Sequence, residues 1–323
     1  MADSMTGAEV LKNETIFLSI VTPTFNESDT IENCIRQVAE VMNNYNPNLN
    51  YEHIIIDNAS NDDTIKKILR LKSKFPRLRV ALNQRNMGPT RTIYRGLSLT
   101  TGTWVVPMLP ADLQDPVEII PKFIENITEN SNVIFGVRKN RQESFQMRFI
   151  RSLYYRIIRR FASSDIPVNA GEFCLIHRGL VDSLIEIADE NPYLRGLIAM
   201  SATSPKYVEY TWTRRVAGKS KATARGMAEI ALSGLVSTSE VPARLALYSG
   251  FVLAATSISL AAIQSIFVLF GIRNAAPGIA TIIVSIFFFG GIQLFFIGLI
   301  GEYVLSIHRQ VKKHPPIKTH FLN

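Results

Sequence analysis

Two uninterrupted apolar stretches near the carboxyl terminus constrain this chain more than any other feature. No charged residue lies between Arg244 and Arg273, and none lies between Arg273 and Glu302. Each stretch exceeds the roughly 20 residues that a helix needs to cross a bilayer. We therefore predict a hairpin of two transmembrane helices within 244–305, preceded by a juxtamembrane helix at 225–243. The alternative is an apolar helical pair inside a soluble core.

The distribution of basic residues predicts how this hairpin is oriented. Arginines and lysines flank both outer ends of the hairpin, whereas the link between its helices holds only Arg273. By the positive-inside rule both termini face the cytoplasm, which predicts a multi-pass protein of the cell (inner) membrane. We expect a disordered tail at 1–14, a cytosolic catalytic domain at 15–224 and a cytosolic basic tail at 306–323. The first of these tails lacks the apolar core of a signal peptide.

Composition narrows the classes of partner and chemistry. The net charge of +8 suits anionic partners. Beside a membrane anchor, we interpret these as phospholipid headgroups of the lipid bilayer, a lipid phosphate and a nucleotide diphosphate, with no nucleic acid among them. The chain has two cysteines, Cys34 and Cys174, and five histidines without zinc-ligand spacing. Neither residue type indicates a redox or zinc enzyme.

Strands and helices alternate through the amino-terminal half of the chain. The apolar and β-branched runs predict strands at 16–22, 53–56, 79–82 and 104–109. The first is followed by apolar residues at helical spacing, and Pro89 suits the first turn of the helix after the third. This order predicts an α/β fold with a mostly parallel sheet and helices on both faces.

A polar turn follows each of these strands. Asn26, Glu27, Asp57 and Asp112 lie at strand ends, and carboxyl ends of parallel strands form one edge of a sheet. Asp112 and the amide oxygen of Gln114 are hard ligands for Mg²⁺ or Mn²⁺ bridging a diphosphate. The alternative is an acidic turn that caps a helix opening at Pro116. Without a Gly-x-Gly-x-x-Gly or Walker loop, phosphate binding would need a metal and basic side chains.

These turns together resemble a known family. The segments Pro23-Thr-Phe-Asn-Glu27, Asp57-Asn-Ala-Ser-Asn-Asp62, Arg85-Asn-Met-Gly88 and Ala111-Asp-Leu-Gln-Asp-Pro116, with the hairpin, are similar to membrane-anchored family 2 glycosyltransferases of the polyprenyl-phosphate type. The resemblance runs from about Ile16 to Lys313. It implies a GT-A (nucleotide-diphospho-sugar transferase) fold and an inverting transfer of sugar from a nucleotide-diphosphate sugar to polyprenyl phosphate. The two-span hairpin favours the bacterial undecaprenyl-phosphate group.

Site residues carried over by the resemblance fall into three groups. Asp112 and Glu172 are the expected catalytic residues, and Asp112 with Gln114 would hold Mg²⁺ or Mn²⁺. Arg138 is the favoured contact of the acceptor phosphate, with Arg151 and Ser152 as weaker candidates. The expected nucleotide-sugar contacts are Pro23, Phe25, Asn26, Glu27, Asp57, Arg85, Gly88, Ala111, Arg215 and Lys219. Of these, Arg215 and Lys219 belong to a basic segment that could close over the donor phosphates.

The acceptor side is predicted from a basic segment. Arginines recur from Arg138 to Arg160, and within this segment apolar residues from Met147 to Phe161 recur at helical spacing. We interpret this segment as an amphipathic helix in the membrane interface, whose guanidinium groups suit phosphate oxygens. An ordinary surface helix packed on the sheet is the alternative. A phosphate monoester is already ionised near neutral pH, so Glu172 could position the acceptor or sugar instead of removing a proton.

Three departures from the family pattern keep other functions open. Pro110 stands where an Asp-x-Asp motif has its first carboxylate, Asn58 stands where a second acid commonly occurs, and Glu172 replaces an aspartate. Pro110 and Asn58 motivate a non-catalytic membrane scaffold as one alternative. A glycosyltransferase with another acceptor, such as a polysaccharide synthase, is a second alternative. A processive synthase would have more spans and a Gln-x-x-Arg-Trp-type motif. Glycines in the second span, including Gly290 and Gly298, would permit helix contacts within a protomer or in a homo-oligomer.

Overall fold

The computed structural model describes residues 17–139, 170–187, 194–212, 278–311 and 319–321, with seven single positions between 248 and 270. The chain divides into two compact units. The first comprises residues 1–226 and 313–323, and the second comprises residues 227–312.

The first unit contains an eight-stranded sheet and six helices within its described residues. The strands are β1 (Phe17–Thr24), β2 (Asn50–Asp57), β3 (Leu78–Asn83), β4 (Trp104–Val106), β5 (Val133–Lys139), β6 (Ala170–His177), β7 (Lys206–Thr211) and β8 (Thr319–Phe321). The helices are α1 (Ile31–Tyr45), α2 (Thr64–Lys72), α3 (Pro89–Leu97), α4 (Ile119–Glu125), α5 (Arg178–Glu186) and α6 (Leu194–Met200). In the second unit, α7 runs over Ile279–Val311.

The sheet is mixed, with a parallel centre. Its order is β7-β5-β6-β4-β1-β2-β3-β8, in which β4, β1, β2 and β3 run parallel to one another. Strand β6 pairs antiparallel with β4 and β5, and β8 pairs antiparallel with β3 at the edge. The predicted α/β class with a largely parallel sheet is thus confirmed for the four amino-terminal strands.

Helices cover both faces of the sheet because β1 alternates buried side chains between them. Leu18 and Ile20 pack with Val38 and Met42 of α1, in one apolar cluster. Val21 belongs to a second cluster, which contains residues of α3 and α5. The apolar stripe Ile31, Ile35, Val38 and Met42, from which the first helix was predicted, is buried throughout. Gly96 of α3 permits close approach, since a Cβ there would lie 2.5 Å from Val21 Cγ1.

Several element boundaries differ from the sequence prediction. Strand β4 ends at Val106 instead of Leu109, although Leu109 N still donates to Val21 O at 2.8 Å. Helix α4 begins at Ile119, after a turn that starts at Pro116. The basic segment that begins at Arg138 starts within a strand, because β5 continues to Lys139 beside β7. Residues 140–169, which hold the predicted amphipathic helix, lie outside the described residues.

The carboxyl-terminal unit is described in part. Most of the first predicted span, 244–273, lies outside the described residues, whereas α7 covers the second and continues to Val311. Within the described part of the chain, no helix meets the joint requirement of length and apolarity for crossing a membrane. The predicted transmembrane hairpin is therefore not confirmed. A Cβ at Gly290 or Gly298 would meet nothing within 4 Å, and the homo-oligomer stays a prediction.

Candidate active site

The candidate site lies at the edge where the four parallel strands end. Strand β1 is central, with β2 on one side and β4 on the other, so the loop after β1 lies between the loops after its neighbours. The register places Thr24 opposite Asp57 and Asp57 opposite Leu82, which aligns the ends of β1, β2 and β3. This alignment gathers polar residues that are far apart in the chain.

Asp57 joins the first two loops through Ser60. Its carboxylate accepts hydrogen bonds from Thr24 Oγ1 at 3.2 Å, Ser60 N at 2.8 Å and Ser60 Oγ at 2.6 Å. Ser60 Oγ in turn accepts from Asn26 N at 2.9 Å, and Asn26 Oδ1 accepts from Asn61 N at 2.9 Å. Asn26 has a left-handed backbone, with φ 54°, which asparagine tolerates well. The predicted contacts Asn26 and Asp57 are thus brought together.

The neighbouring predicted contacts also lie on this loop. Glu27 N donates to Thr64 Oγ1 at 2.9 Å, which attaches the loop to the start of α2. The Glu27 carboxylate accepts from Thr30 Oγ1 at 3.2 Å, one residue before α1. Pro23 and Phe25 are both half-buried at the end of β1. The loop after β1 is therefore fixed by side-chain hydrogen bonds to two helix starts.

The loop after β3 is held by the side chain of Asn58. Asn58 Oδ1 accepts from Met87 N at 2.9 Å and from Asn83 Nδ2 at 3.3 Å, while Asn58 Nδ2 donates to Asn86 Oδ1 at 2.8 Å. Asn86 Oδ1 also accepts from Gly88 N at 2.8 Å. A carboxylate at position 58 could accept the bonds from Met87 and Asn83, but it could not donate to Asn86. This explains why an amide occupies the position where the family commonly has an acid.

Two further predicted contacts lie in this loop. Arg85 is exposed, and Gly88 precedes α3 with a φ of 82°, in the region that glycine adopts without strain. Pro89 occupies the first turn of α3, as predicted. The loop after β3 thus presents an exposed guanidinium from a backbone whose path is fixed by glycine and asparagine.

Asp112 lies in the acidic turn after β4. Its carboxylate accepts from Gln114 N at 3.2 Å, and Leu113 between them has a φ of 54°. Asp112 is buried, and its negative charge contributes to the raised pKa of Cys34 in α1, after the larger effect of burial. Ala111 packs in an apolar cluster with residues of α1 and β2. Its small apolar side chain therefore belongs to the core, beside the buried carboxylate.

The oxygen donors of this turn suit a magnesium or manganese ion whose coordination is completed by substrate and water. Among the described residues, no group of three His, Cys, Asp or Glu side chains could hold a metal ion. Mg²⁺, however, is commonly bound by one or two carboxylates together with substrate phosphates and water. Asp112 supplies one carboxylate, and Gln114 supplies an amide oxygen two residues later. These oxygen donors suit a hard cation and do not suit a zinc site of nitrogen and sulfur ligands.

A second polar cluster connects the acidic turn to β5 and β7. Arg138 Nε donates to Asp115 Oδ1 at 2.9 Å, and Arg138 Nη2 donates to Asp115 Oδ2 at 2.7 Å. Tyr210 Oη donates to Asp115 Oδ1 at 2.6 Å, and the guanidinium lies 5.7 Å from the Trp212 ring centre. Burial opposes the charge on Arg138, but Asp115 outweighs this effect and raises its pKa. Burial and Asp115 together raise the pKa of Tyr210.

Glu172 belongs to this cluster. A Cβ built at Gly171, the residue before it on β6, would lie 3.3 Å from Arg138 Nη2, so the backbone of β6 passes close to the guanidinium. Burial raises the pKa of Glu172; Arg195 and Arg138 oppose that increase, and Asp115 adds to it. The structure therefore brings the predicted residues Glu172 and Arg138 into one electrostatic environment, with a carboxylate that burial disposes toward protonation.

Some residues of the site were not predicted, and some predictions cannot be placed. Arg151, Ser152, Arg215 and Lys219 lie outside the described residues. The bridging role of Ser60 was missed, although it belongs to the segment Asp57–Asp62 that carried the resemblance. Asp115 was noticed only as part of an acidic turn. Tyr210 had no signal in the sequence, since β7 itself was not predicted.

Comparison with known proteins identifies the family that the sequence motifs resemble. Residues 19–185 match Glycosyl transferase family 2. The chain is 32% identical over 299 residues to "Uncharacterized glycosyltransferase YkcC" of Bacillus subtilis (strain 168), covering 92% of this chain and 91% of that protein. It is 31% identical over 300 residues to "Bactoprenol glucosyl transferase" of Shigella phage SfX, covering 92% and 97%. Glucosyl-3-phosphoglycerate synthase from Mycobacterium tuberculosis, in complex with uridine-diphosphate, is 17% identical over 72% of this chain and 82% of that chain, with a TM-score of 0.44.

The chain belongs to glycosyl transferase family 2. It is accordingly a glycosyltransferase, with the α/β mixed sheet of a GT-A-like fold, as predicted. The match runs from within β1 to the last turn of α5 and includes Asp57, Asp112 and Glu172.

Proposed function

We propose that this chain transfers a sugar, with inversion, from a nucleotide-diphosphate sugar to a polyprenyl phosphate at the cytoplasmic face of the cell membrane. The observation that carries the proposal is the polar edge of the sheet, where Asp57, Ser60 and Asn26 connect two loops beside the buried turn of Asp112. The similarity to relatives named bactoprenol glucosyl transferase, which extends over almost their whole length, supports the lipid acceptor. The undecaprenyl chain is the favoured polyprenol.

On the donor side, the loops after β1, β2 and β3 form the proposed nucleotide-sugar pocket. Asp57, Asn26 and the half-buried Phe25 line it, with Arg85 and Gly88 from the third loop. Asp112 and Gln114 are proposed to hold Mg²⁺ or Mn²⁺. When bound, the cation neutralises charge on the departing nucleoside diphosphate. Arg215 and Lys219 remain proposed phosphate contacts.

On the acceptor side, the cluster around Arg138 is the proposed phosphate site. Nε and Nη2 of Arg138 donate to Asp115, and Nε also donates to Tyr210 Oη at 3.2 Å. A guanidinium held in this way is oriented before an anion arrives, which lowers the entropy lost on binding. A lipid phosphate ionised near neutral pH needs little help from a base. Glu172 is therefore proposed to position the acceptor or sugar, with Arg151 and Ser152 as further phosphate contacts.

The proposed membrane attachment rests on the two charge-free stretches within 244–305 and the basic residues around them. Large apolar side chains of α7 are exposed, including Ile282 at 58%, Ile286 at 64% and Ile300 at 60%. Contiguous exposed apolar surface of this kind is typical of membrane or protein contacts. We propose that these side chains face lipid, with both termini in the cytoplasm.

One experiment tests the reaction directly. The full chain, purified in detergent, is incubated with labelled nucleotide sugars, Mn²⁺ and either undecaprenyl phosphate or undecaprenol, and the lipid products are identified by mass spectrometry. We expect a single sugar on undecaprenyl phosphate and none on undecaprenol. Transfer to undecaprenol or to a glycan instead would show another acceptor class. No product and no nucleotide binding with any donor would favour the scaffold.

A further inference from the structure

The carboxyl-terminal strand β8 extends the catalytic sheet next to the proposed donor pocket. It pairs antiparallel with β3, with Thr319 opposite Asn83 and Phe321 opposite Ala81. A peptide added to a sheet edge gains main-chain hydrogen bonds whatever its sequence. Side-chain contacts at this edge therefore decide whether β8 has a particular role or merely covers the strand.

Thr319 makes side-chain contacts that depend on its hydroxyl. Its Oγ1 donates to Asn83 Oδ1 at 3.1 Å and accepts from Arg95 Nε at 3.1 Å. At the other end of β8, the guanidinium of Arg79 lies 4.4 Å from the centre of the Phe321 ring. Both ends of the strand are thus recognised by side chains, and the hydroxyl of Thr319 is used as donor and as acceptor.

The contact at Thr319 continues into the loop after β3. Asn83 uses Oδ1 to accept from Thr319 and Nδ2 to donate to Asn58 Oδ1 at 3.3 Å. The same Asn58 oxygen accepts from Met87 N at 2.9 Å. Since a backbone N–H can only donate, Met87 fixes which atom of the Asn58 amide is oxygen. One continuous hydrogen-bond path therefore runs from the carboxyl-terminal strand to the backbone of the loop.

We propose that β8 is a positioning element for the donor pocket, and that Thr319 is its positioning residue. This rests on the proposed function, in which the loop 84–88 contacts the nucleotide sugar. The hydroxyl of Thr319 orients the amide of Asn83, which orients Asn58, which holds Met87 N. Simple protection of the sheet edge would need only the backbone of β8. The side-chain hydroxyl therefore distinguishes the two roles.

The test compares Thr319→Val with Thr319→Ser in the full chain. Valine keeps the shape and the strand but removes the hydroxyl, whereas serine retains it. Hydrogen exchange of the Met87 and Gly88 amides should accelerate about 2- to 10-fold in T319V, as the loss of one hydrogen bond implies, and should stay near wild type in T319S. Thr203 N, which donates to Asn132 Oδ1 at 2.6 Å in the segment between α6 and β7, is the matched control amide and should not change.

Donor binding separates this inference from the proposed function. In wild type, UDP and GDP are titrated with Mn²⁺, and KM and kcat are measured for any donor that is used. T319V should raise KM by a similar factor with little change in kcat, and T319S should restore it. Unchanged exchange at Met87 and Gly88 in T319V would overturn the inference, as would faster exchange with unaltered nucleotide affinity. If the wild-type protein binds and uses no nucleotide, the proposed function is overturned instead. The exchange measurement still tests whether the Thr319 hydroxyl stabilises the loop after β3.

Discussion

Arg138 and Asp115 form a bidentate ion pair, in which Arg138 Nε lies 2.9 Å from Asp115 Oδ1 and Arg138 Nη2 lies 2.7 Å from Asp115 Oδ2. Asp115 is buried, and the side chain of Arg138 is 19% exposed. The pair connects the acidic turn after β4 to the end of β5, and Tyr210 Oη also donates to the same carboxylate at 2.6 Å. The acidic turn is therefore anchored at one end by a charged contact from a different part of the sheet.

Replacing Asp115 with asparagine should destabilise the protein. Removing one partner of a buried ion pair leaves the other charge uncompensated, which costs about 3 kcal/mol. The control is Glu209→Gln on β7, whose partner Lys139 lies on β5, because both of those side chains are more than half exposed. Its cost should stay below about 1 kcal/mol. Urea denaturation in detergent measures both, and equal losses would contradict a structural role for the Asp115 contact.

Much of the fold could be predicted because the signals are local. The buried stripe of α1 repeats at helical spacing, and Pro89 marks the start of α3. Strands β7 and β8 were missed because short edge strands carry little periodic pattern. Arg138 lies near the end of β5, and its partner Asp115 is 23 residues away in the chain. No local pattern reveals a contact of that kind.

The candidate site divides in the same way. Asn26, Asp57 and Asp112 were predicted to gather because parallel strands end at one edge, a consequence of topology alone. The structure adds how the loops are held, through Ser60 between the first two and Asn58 between the second and third. Those contacts depend on exact loop paths, including left-handed backbone at Asn26, which a single sequence does not specify.

Asp112→Asn should abolish transfer while leaving the fold intact. Asparagine preserves the shape and can still accept from Gln114 N, but it removes the negative charge proposed to hold the cation. Because a bound cation contributes several kcal/mol to transition-state stabilisation, kcat/KM should fall at least about 100-fold.

Mn²⁺ titrations of activity and circular dichroism spectra provide the readouts for this substitution. Asp63→Asn is the control, since Asp63 is exposed and paired with Lys66, three residues along. It should keep the activity of the wild type. Wild-type activity and Mn²⁺ dependence in D112N would remove the metal assignment.

Ser60→Ala should weaken donor binding by separating the first two loops. Its hydroxyl donates to Asp57 Oδ1 at 2.6 Å and accepts from Asn26 N at 2.9 Å, so alanine removes two bonds at once. Each bond contributes about 1 kcal/mol, so losing the effect of one or both on binding corresponds to about a 5- to 30-fold rise in donor KM. Ser183→Ala, which removes an exposed hydroxyl from α5, is the control. A donor KM unchanged in Ser60→Ala would exclude this bridge from the donor site.

His53 makes the stability of the sheet depend on pH. It is buried on β2, its Nε2 lies 2.9 Å from Thr22 Oγ1, and burial lowers its pKa from 6.5 to about 3. Between these two values the unfolded chain binds a proton that the folded chain does not. Acidification therefore favours unfolding, and the stabilising contribution present above pH 6.5 is lost as pH falls toward 3.

Comparing His53→Gln with wild type isolates this effect. The loss amounts to about 1.4 kcal/mol per pH unit within the window, or about 2 kcal/mol between pH 7 and pH 5. Glutamine stays neutral and can still hydrogen-bond to Thr22, so the free energy of unfolding of the variant should fall by that much less over the same interval. Urea denaturation at both pH values measures the difference. Equal pH dependence in wild type and His53→Gln would show that the buried imidazole becomes protonated without cost to the fold.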